Sequence, residues 1–337
     1  LNMMGDIVWS EEIANGIQLA TPLLYANTVI APSADGYIYF FNAANGTEKR
    51  VFDTESRTLV DWTIGLTTSP AAYHDSIIIA ADNGNLISIN ITSVEEEWSI
   101  NTSSAIRSSS PAIYGDVIYL GDESGNVSAY AVDGSGRIWS TNVGAGEVRA
   151  SPLLDSTRNL IIVTSKGVNG NMTALNMTTG DIVWQTDIGG SSASVTMAST
   201  GYIAVTSTTL VMVDFDGKRL WNGPQGIGGG GAPTVLGDKI FAVTNEESSR
   251  LITLDLTGKL VNETVLPSAS YALCSPTFID GSLFVTSNNG HVYAFSVVED
   301  IRDDENGNLW LLLGGLAAVI VIAAVGLVYW NGKRKGE

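Results

Sequence analysis

The sequence repeats one pattern about every 42 residues. The clearest copy spans residues 109–139, and the pattern returns at residues 68–98 and 274–298. Each copy begins with a small residue followed by proline, and one degenerate copy has valine at that point. These positions are Pro22, Pro70, Pro111, Pro152, Val195, Pro233 and Pro276. A period of this length is typical of the four-stranded blades of a β-propeller.

Each copy has the pattern of a meander of short strands. An apolar run such as DVIYLG follows the proline, and turns rich in Gly, Asn and Asp separate it from its neighbours. Valine, isoleucine and tyrosine favour strands, whereas glycine and asparagine tolerate the positive φ angles of tight turns. No amphipathic helical stretch precedes residue 309. We therefore predict an all-β, seven-bladed β-propeller of four-stranded antiparallel blades over residues 1–298.

The two ends of the repeat region complement each other. The last copy stops at Val298 without the strand that ends in tryptophan. The chain opens with MMGDIVW, which is nearly the same as TTGDIVW at residues 178–184. We expect residues 6–10 to form the outermost strand of the last blade, beside residues 290–297. This closure would give every blade of the ring its fourth strand.

The pattern SP…GD-x-[IV]-Y…G-x-[LV]-x-A…[TS]G-x-x-x-W resembles the PQQ-like repeat family. This family includes the quinoprotein alcohol dehydrogenase propellers and the outer-membrane assembly lipoprotein, and residues 111–139 and 152–184 match its pattern best. The resemblance implies a propeller in which the repeat tryptophan docks one blade on the next. Phe52 replaces this tryptophan in the first repeat. The tryptophans at the docking position are Trp9, Trp98, Trp139, Trp184 and Trp221.

The cofactor of the quinoprotein dehydrogenases is not expected in this chain. The resemblance implies that such enzymes hold it with two adjacent cysteines, a calcium site and an aspartate base. This chain has one cysteine, Cys274, and only two histidines. The glycine run at residues 223–233 lacks the lysine of a phosphate-binding loop, so it predicts a connection between blades. We therefore assign no catalytic, cofactor-binding or metal-binding residue and expect no cofactor.

Residues 309–330 form a run of 22 residues without a charged side chain. As a helix this run would extend roughly 33 Å, enough to cross the hydrocarbon core of a bilayer. Aromatic residues stand at both ends, an acidic linker at residues 299–308 precedes the run, and a basic tail at residues 331–337 follows it. The positive-inside rule then predicts one transmembrane helix in the cell membrane, with the tail in the cytoplasm and the propeller outside.

The net charge and the sequons agree with such a location. Residues 1–308 carry 14 basic and 34 acidic side chains, a net charge of −20. A surface this acidic repels phosphates, so we exclude nucleic acid as a partner. Seven N-x-S/T sequons are possible N-glycosylation sites of an exported domain. Their asparagines are Asn45, Asn90, Asn101, Asn126, Asn171, Asn176 and Asn262.

Two arginines stand just before the proline that opens a repeat. Arg107 and Arg149 occupy this place in neighbouring repeats, where the chain enters the innermost strand at one mouth of the central channel. Gln18 and Tyr271 have related repeat positions. Two guanidinium groups at a channel mouth predict binding of a carboxylate, phosphate or sugar acid. The alternative is that each arginine pairs with a neighbouring acid such as Glu147.

These features together indicate a membrane-anchored, surface-exposed propeller that acts as a non-catalytic binding or assembly scaffold for other surface proteins or glycans. The alternative is an extracellular enzyme that uses the channel mouth, either a quinone-linked dehydrogenase or a glycan hydrolase or lyase. Carboxylates and histidine converging at the mouth would favour the enzyme. A mouth lined by small and neutral residues would favour the scaffold.

Overall fold

The structure is a computed structural model, and all 28 strands of its described part belong to seven four-stranded antiparallel sheets. The strands follow chain order across every sheet, so each sheet is a simple meander. The sheets are the blades of a seven-bladed propeller, as predicted, and we number them 1 to 7 along the chain. From residue 297 onward only the backbone is described. The described residues are 6–13, 16–17, 19–47, 50–56, 66–144, 146–303 and 309–317.

The strands of the first four blades run from the channel outward. Blade 1 contains β1 (Leu23–Tyr25), β2 (Thr28–Pro32), β3 (Tyr37–Asn42) and β4 (Arg50–Asp53). Blade 2 contains β5 (Ala71–Tyr73), β6 (Ser76–Ala80), β7 (Asn85–Asn90) and β8 (Glu96–Asn101). Blade 3 contains β9 (Ala112–Tyr114), β10 (Val117–Gly121), β11 (Asn126–Ala131) and β12 (Arg137–Asn142). Blade 4 contains β13 (Leu153–Asp155), β14 (Leu160–Thr164), β15 (Asn171–Asn176) and β16 (Ile182–Asp187).

The last three blades follow the same order. Blade 5 contains β17 (Thr196–Ala198), β18 (Gly201–Val205), β19 (Leu210–Val213) and β20 (Arg219–Asn222). Blade 6 contains β21 (Thr234–Leu236), β22 (Lys239–Val243), β23 (Arg250–Asp255) and β24 (Leu260–Val265). Blade 7 contains β25 (Thr277–Ile279), β26 (Ser282–Thr286), β27 (Val292–Asp303) and β28 (Leu309–Ala317).

The apolar cores lie between the blades. Ile30 and Phe40 of blade 1 cluster with Ile77 and Ile87 of blade 2, and the next five junctions are built in the same way. Strands such as β6 are therefore buried along their whole length, because a neighbouring blade covers each face. A blade buries its apolar faces only when both neighbours are in place, so the ring folds as one unit.

An indole–glycine contact repeats at the outer part of the junctions. Trp139 of blade 3 lies over Gly180 of blade 4, and its Nε1 donates a hydrogen bond to Met177 O at 3.2 Å. A Cβ atom on Gly180 would stand 2.5 Å from the indole, so only glycine leaves room for the ring. Each such glycine thus receives the tryptophan of the preceding blade. The same contact joins Trp98 to Gly134, Trp184 to Gly217 and Trp221 to Gly258.

A chain of hydroxyl contacts joins the blades near the channel. The backbone N–H of Ser69 donates to Ser110 Oγ at 2.9 Å, and the N–H of Ser110 donates to Ser151 Oγ at 3.0 Å. Thr21 and Ser194 extend this chain at its two ends. These residues precede the proline, or the valine of the degenerate copy, that opens each repeat. The small residue of the repeat motif therefore links neighbouring blades.

A buried carboxylate joins blades 4 and 5. Tyr202 Oη donates to Asp155 Oδ2 at 2.6 Å, and Arg158 lies 2.9 Å from the same oxygen. Burial opposes the ionisation of Asp155, but the hydrogen bonds from Tyr202 and Arg158 outweigh it and hold the pKa of this carboxyl below its ordinary value. Burial and the bond to Asp155 raise the pKa of Tyr202, so the phenol stays protonated.

Blade 7 differs from the sequence-based expectation. Its fourth strand is β28, which pairs with β27 from Ser296 to Asp303, whereas residues 6–10 form no strand. The expected transmembrane helix at residues 309–330 is thus a strand over its first nine residues, and residues 318–337 lie outside the described part. The reason is that β27 extends beyond β26, and its free backbone groups pair with the apolar run. Among the described residues, no helix is long and apolar enough to cross a membrane.

Trp9 nevertheless takes the position of a fourth-strand tryptophan. Its Nε1 donates to Ala43 O of blade 1 at 2.8 Å, and a Cβ on Gly46 would lie 2.7 Å from its ring. Its ring centroid lies 6.0 Å from that of Phe41, the same distance that Trp139 keeps from its aromatic neighbour. The N-terminal segment therefore packs on blade 1, where Trp9 and Ile13 join the apolar cluster of Ala31, Tyr39 and Phe41.

We predict that Trp139→Ala destabilises the propeller by about 3 kcal/mol, the lower end of the range for large aromatics, because the half-buried indole loses its contact with Gly180 and its hydrogen bond to Met177 O. Gly180→Ala should also destabilise it, because its Cβ meets the indole and its φ is +76°. Once the indole is removed, the cost of Gly180→Ala should fall to that of the backbone strain alone. Urea unfolding followed by circular dichroism gives these free energies.

Gly115→Ala is the matched control. Gly115 also has a positive φ, +57°, but a Cβ there meets no atom within 4 Å, so its cost should not depend on Trp139. The same cycle on Trp9 and Gly46 measures the junction that closes the ring. Equal costs of Gly180→Ala with and without the indole would contradict the docking contact.

Candidate functional site

The loops of the propeller lie on two faces. The loops between second and third strands lie on one face with the connections that cross from blade to blade, and we call this the crossover face. The turns between first and second strands and between third and fourth strands lie on the opposite face, which we call the turn face. Hydrogen bonds tie each crossing to the loop beside it, as from Thr102 N–H to Gly84 O and from Val143 N–H to Gly125 O. The crossover face is therefore a packed surface built from every blade.

The predicted mouth residues belong to the crossings. Arg107 lies between blades 2 and 3, Arg149 between blades 3 and 4, and Tyr271 between blades 6 and 7. Gln18 lies outside the described residues. The two arginines are brought together, whereas Tyr271 belongs to a crossing on the other side of the ring.

Glu123, in the second-to-third strand loop of blade 3, joins the two arginines. Arg149 binds it with both ends of the guanidinium, Nε to Oε1 at 2.8 Å and Nη2 to Oε2 at 2.9 Å. Arg107 lies 3.6 Å from Glu123 and 3.6 Å from the buried carboxylate of Asp82. The hydrogen bonds to Glu123 raise the pKa of Arg149, which keeps this guanidinium charged. Glu123 was not among the predicted residues.

The contacts continue to Glu147, which lies 3.3 Å from Arg149 and 3.3 Å from Lys166. The pairing with Glu147 that the sequence offered as an alternative is therefore present. Three acids and three bases alternate across blades 2 to 4, so the group is neutral as a whole. An anionic ligand would have to displace Glu123, and the binding prediction for these residues stays a prediction. We call this group the ion-pair chain: Asp82, Arg107, Glu123, Arg149, Glu147 and Lys166.

A cavity of about 520 Å³ next to Lys166 extends across the loops of blades 4, 5 and 6. Glycines form much of its wall, because the crossings and loops approach too closely for side chains. A Cβ on Gly190 would stand 2.0 Å from Gly167 O, and one on Gly230 would stand 1.9 Å from Val243 O. The predicted connection at residues 223–233 is the crossing from blade 5 to blade 6, and it borders this cavity.

A second cavity, of about 510 Å³, opens between blades 7 and 1. Leu19, Leu273 and Phe284 line it together with polar groups. Leu19, Leu273 and the nearby Tyr271 are each about half exposed. The backbone N–H of Tyr271 donates to Glu246 O at 2.8 Å, which ties the crossing to the loop of blade 6. This side of the crossover face thus presents a few exposed apolar and aromatic side chains beside a mainly polar cavity.

The described part of the chain lacks the residues that would hold a quinone and calcium. There, no group of three or more His, Cys, Asp or Glu side chains could hold a metal ion. His74 and His291 belong to blades 2 and 7. Cys274 is the single cysteine, and its Sγ donates to Thr286 O at 3.1 Å. These residues do not fit the quinone and calcium that the resemblance to quinoprotein dehydrogenases implies.

The seven sequons fall at three kinds of position. Asn126 and Asn171 begin the third strands of their blades, and Asn101 and Asn262 lie in fourth strands. The remaining asparagines lie at the turn between third and fourth strands: Asn45, Asn90 and Asn176.

Comparison with known sequences matches the chain to the outer membrane protein assembly factor BamB over residues 2–109, 65–169 and 168–271. The BamB of Yersinia pestis is 24% identical over 295 residues, which are 87% of this chain and 64% of that protein. The chain therefore covers less than two thirds of this relative.

Solved structures share the fold. The BamB of Moraxella catarrhalis has a TM-score of 0.72 at 17% identity, with 86% of each chain covered. A quinohemoprotein alcohol dehydrogenase of Pseudomonas putida has a TM-score of 0.67 at 12% identity, covering 86% of this chain and 66% of that enzyme. Likeness at such low identity shows the fold alone.

The repeats and the seven meander sheets define the class of the protein, a β-propeller of PQQ-like repeats, as the resemblance implied. Within this class, the chain belongs to the family of the outer membrane protein assembly factor BamB.

We predict that the ion-pair chain couples its members energetically. Arg149→Met should destabilise the propeller, because Glu123 and Glu147 lose the cation between them. Adding Glu123→Gln should recover part of the loss, with a coupling energy of about 1 kcal/mol. Arg219→Met, on the exposed end of β20, is the control and should cost under about 0.5 kcal/mol. A double-mutant cycle in urea without measurable coupling would contradict the prediction.

Proposed function

We propose that the protein is a membrane-anchored, surface-exposed propeller that acts as a non-catalytic binding or assembly scaffold. Membership of the BamB family supports this proposal, because the relatives with that name are assembly factors of outer membrane proteins. Its partners are other membrane or surface proteins, with glycans as a second class.

The crossover face is the observation that carries the scaffold role. It combines the neutral ion-pair chain with two cavities and with exposed apolar groups such as Leu273. Protein interfaces combine these elements: apolar and aromatic contacts contribute affinity, and paired charges contribute specificity. Because the charges of the ion-pair chain already neutralise one another, a partner is recognised by how its own charged groups add to these pairs or replace one member of a pair. An acidic domain of this kind also favours a partner with basic residues.

The alternative, an enzyme at the channel mouth, has less support. The arginines at the mouth face acids that neutralise them, and glycines line the neighbouring cavity. A general acid–base site needs titratable groups that converge on an open space. In the described part of the mouth, the charged groups are instead engaged with one another.

The membrane anchor is part of the proposal. The run at residues 309–330 is long enough to span a bilayer, and the basic tail at residues 331–337 favours a cytoplasmic C-terminus. The linker at residues 299–308, whose first five residues extend β27 in the structure, then separates from the sheet and holds the propeller close to the outer side of the membrane. In a bilayer, the nine residues of β28 leave β27 and become part of the helix, because lipid offers no partner for an open strand.

The ring stays closed when β28 leaves, because the N-terminal segment takes the place of the fourth strand. β28 pairs with β27 only from Ser296 onward, which leaves the first part of β27 for another strand. In blades 3 and 4 the docking tryptophan pairs with an alanine of the third strand, Ala129 or Ala174. Ala294 has the equivalent position in β27, so Trp9 stands opposite Ala294. Its docking on blade 1 supports this register.

The scaffold role is tested in the native membrane with a photo-crosslinking residue in the full chain. At Leu273, on the crossover face, we expect crosslinks to a defined membrane or surface protein. Ile279, equally apolar and likewise 48% exposed, stands at the turn between β25 and β26 on the turn face; it is the matched control and should give none. Identical products from both positions would contradict the assignment of the crossover face.

The enzyme alternative is tested by adding PQQ and calcium to the purified chain. We expect no shift of the melting temperature and no alcohol-dependent reduction of a dye. A saturable shift together with dye reduction would overturn the non-catalytic role.

The anchor is tested by protease treatment of intact cells. We expect cleavage in the linker at residues 299–308, with release of the whole propeller and protection of an epitope on the tail. The uncleaved protein should remain in membranes washed with carbonate. Digestion of the tail epitope in intact cells, or release by carbonate, would show that the topology is wrong.

A further inference from the structure

The structure separates the seven sequons by whether the folded chain could accept a sugar. Transfer to a folded domain requires that the amide nitrogen of the asparagine and the hydroxyl two residues later be reachable. It also requires backbone that can move into the site of a transferase. Both conditions can be checked at each position.

The sequons that begin with Asn126 and Asn171 fail these conditions. They lie in the third strands β11 and β15, each hydrogen-bonded to a strand on both sides. Their hydroxyls, on Ser128 and Thr173, are buried. The Nδ2 of Asn126 also donates to Asp122 at 2.9 Å. Modification of either asparagine would require the blade to open.

Three further sequons have an amide nitrogen that is already engaged. The Nδ2 of Asn101 donates to the side chain of Asn85 at 3.0 Å. Asn90 donates to Glu97 at 3.3 Å, and Asn262 donates to Thr264 at 3.4 Å. Each lies in or at the end of a paired strand, so its backbone is held as well.

Asn176 lies at a turn but is half-buried. Its Oδ1 accepts hydrogen bonds from the backbone N–H groups of Thr178 and Thr179. The middle residue of its sequon, Met177, is buried and accepts the indole N–H of Trp139 on its carbonyl oxygen. This turn is therefore fixed by the blade junction.

Asn45 meets the first condition, although its turn is also anchored, because Gly46 lies beneath the Trp9 indole. It lies at the turn after β3, and both Asn45 and Thr47 are exposed. Its Oδ1 accepts hydrogen bonds from Thr47 N–H at 3.0 Å and from Thr47 Oγ1 at 2.7 Å, so the amide and the hydroxyl of the sequon already face each other. Within the described part of the chain its Nδ2 has no hydrogen-bond partner. That nitrogen is the atom that must form the new bond.

We propose that Asn45 is the preferred N-glycosylation site of the folded propeller. The inference depends on the proposed location outside the cytoplasm, where a membrane-bound transferase can meet the chain. The donor is a sugar linked through phosphate to a polyprenol. The Nδ2 of Asn45 bonds to the anomeric carbon of the sugar while the bond from that carbon to the phosphate oxygen breaks. The phosphate leaves with the bonding electron pair, and the nitrogen loses one proton to a base of the transferase.

The purified full chain tests this site when it is incubated with an oligosaccharyltransferase and a polyprenyl-diphosphate-linked N-acetylglucosamine donor. Mass spectrometry of the glycopeptides gives the occupancy of each site over time. We expect modification at Asn45 at least ~10-fold faster than at Asn126 and Asn171, because paired strands open rarely. Thr47→Ser should keep the modification, and Thr47→Ala should abolish it.

Synthetic peptides with the three sequons are the control, and their rates should be similar because the fold no longer protects any of them. A folded chain in which Asn126 is modified as fast as Asn45, or Asn45 not at all, would overturn the proposal. Occupancy in cells addresses the location separately. A chain that accepts sugar in vitro but carries none in cells with an active transferase would leave the site preference standing and count against the proposed location.

Discussion

The contact between an indole of one blade and a glycine of the next is the constraint on which the propeller depends. The apolar cores lie between blades, so no blade is stable without both neighbours. The indole fixes the distance between two blades at their outer ends, and the serine hydroxyls fix it near the channel. A sheet held at both ends cannot rotate against its neighbour. The crossover face inherits this rigidity, because its crossings begin and end on strands that these contacts hold.

Much of the fold could be predicted because each of these contacts leaves a local mark in several repeats. A small residue before the proline or valine recurs in all seven copies, and a glycine shortly before a tryptophan recurs in blades 3, 4 and 5 and in the N-terminal copy. Their spacing predicts seven four-stranded sheets. The last blade shows the limit of such a pattern. The free edge of β27 can pair with either of two segments, residues 6–10 or residues 309–317. The second segment matches no repeat, so the repeat pattern does not predict its pairing. The similarity of MMGDIVW to a fourth strand predicts where Trp9 docks, but it contains no information about a competing apolar segment.

The site was harder to predict for a related reason. Arg107 and Arg149 each precede the proline that opens a repeat. This repeat position was enough to predict that both lie at the channel mouth. Their main partner, Glu123, lies 26 residues before Arg149 in sequence, in the loop of a blade that the arginine only borders. Side-chain pairing across a junction depends on the angle between blades, which no local motif records. Repeat alignment could have found it: Glu123 directly follows Asp122 in a loop that packs beside a crossing in every blade.

For the proposed scaffold role, this arrangement favours a large partner over a simple anion. An isolated arginine at the mouth would bind any anion of suitable size. Arg149 is held by Glu123 and Glu147, so a simple anion gains little from replacing one carboxylate with another. A protein surface can add basic groups beside the acids and fill the neighbouring cavities in the same step. The binding free energy of these contacts together then exceeds the free energy lost from the ion pairs. This favours a large partner over a small anionic ligand.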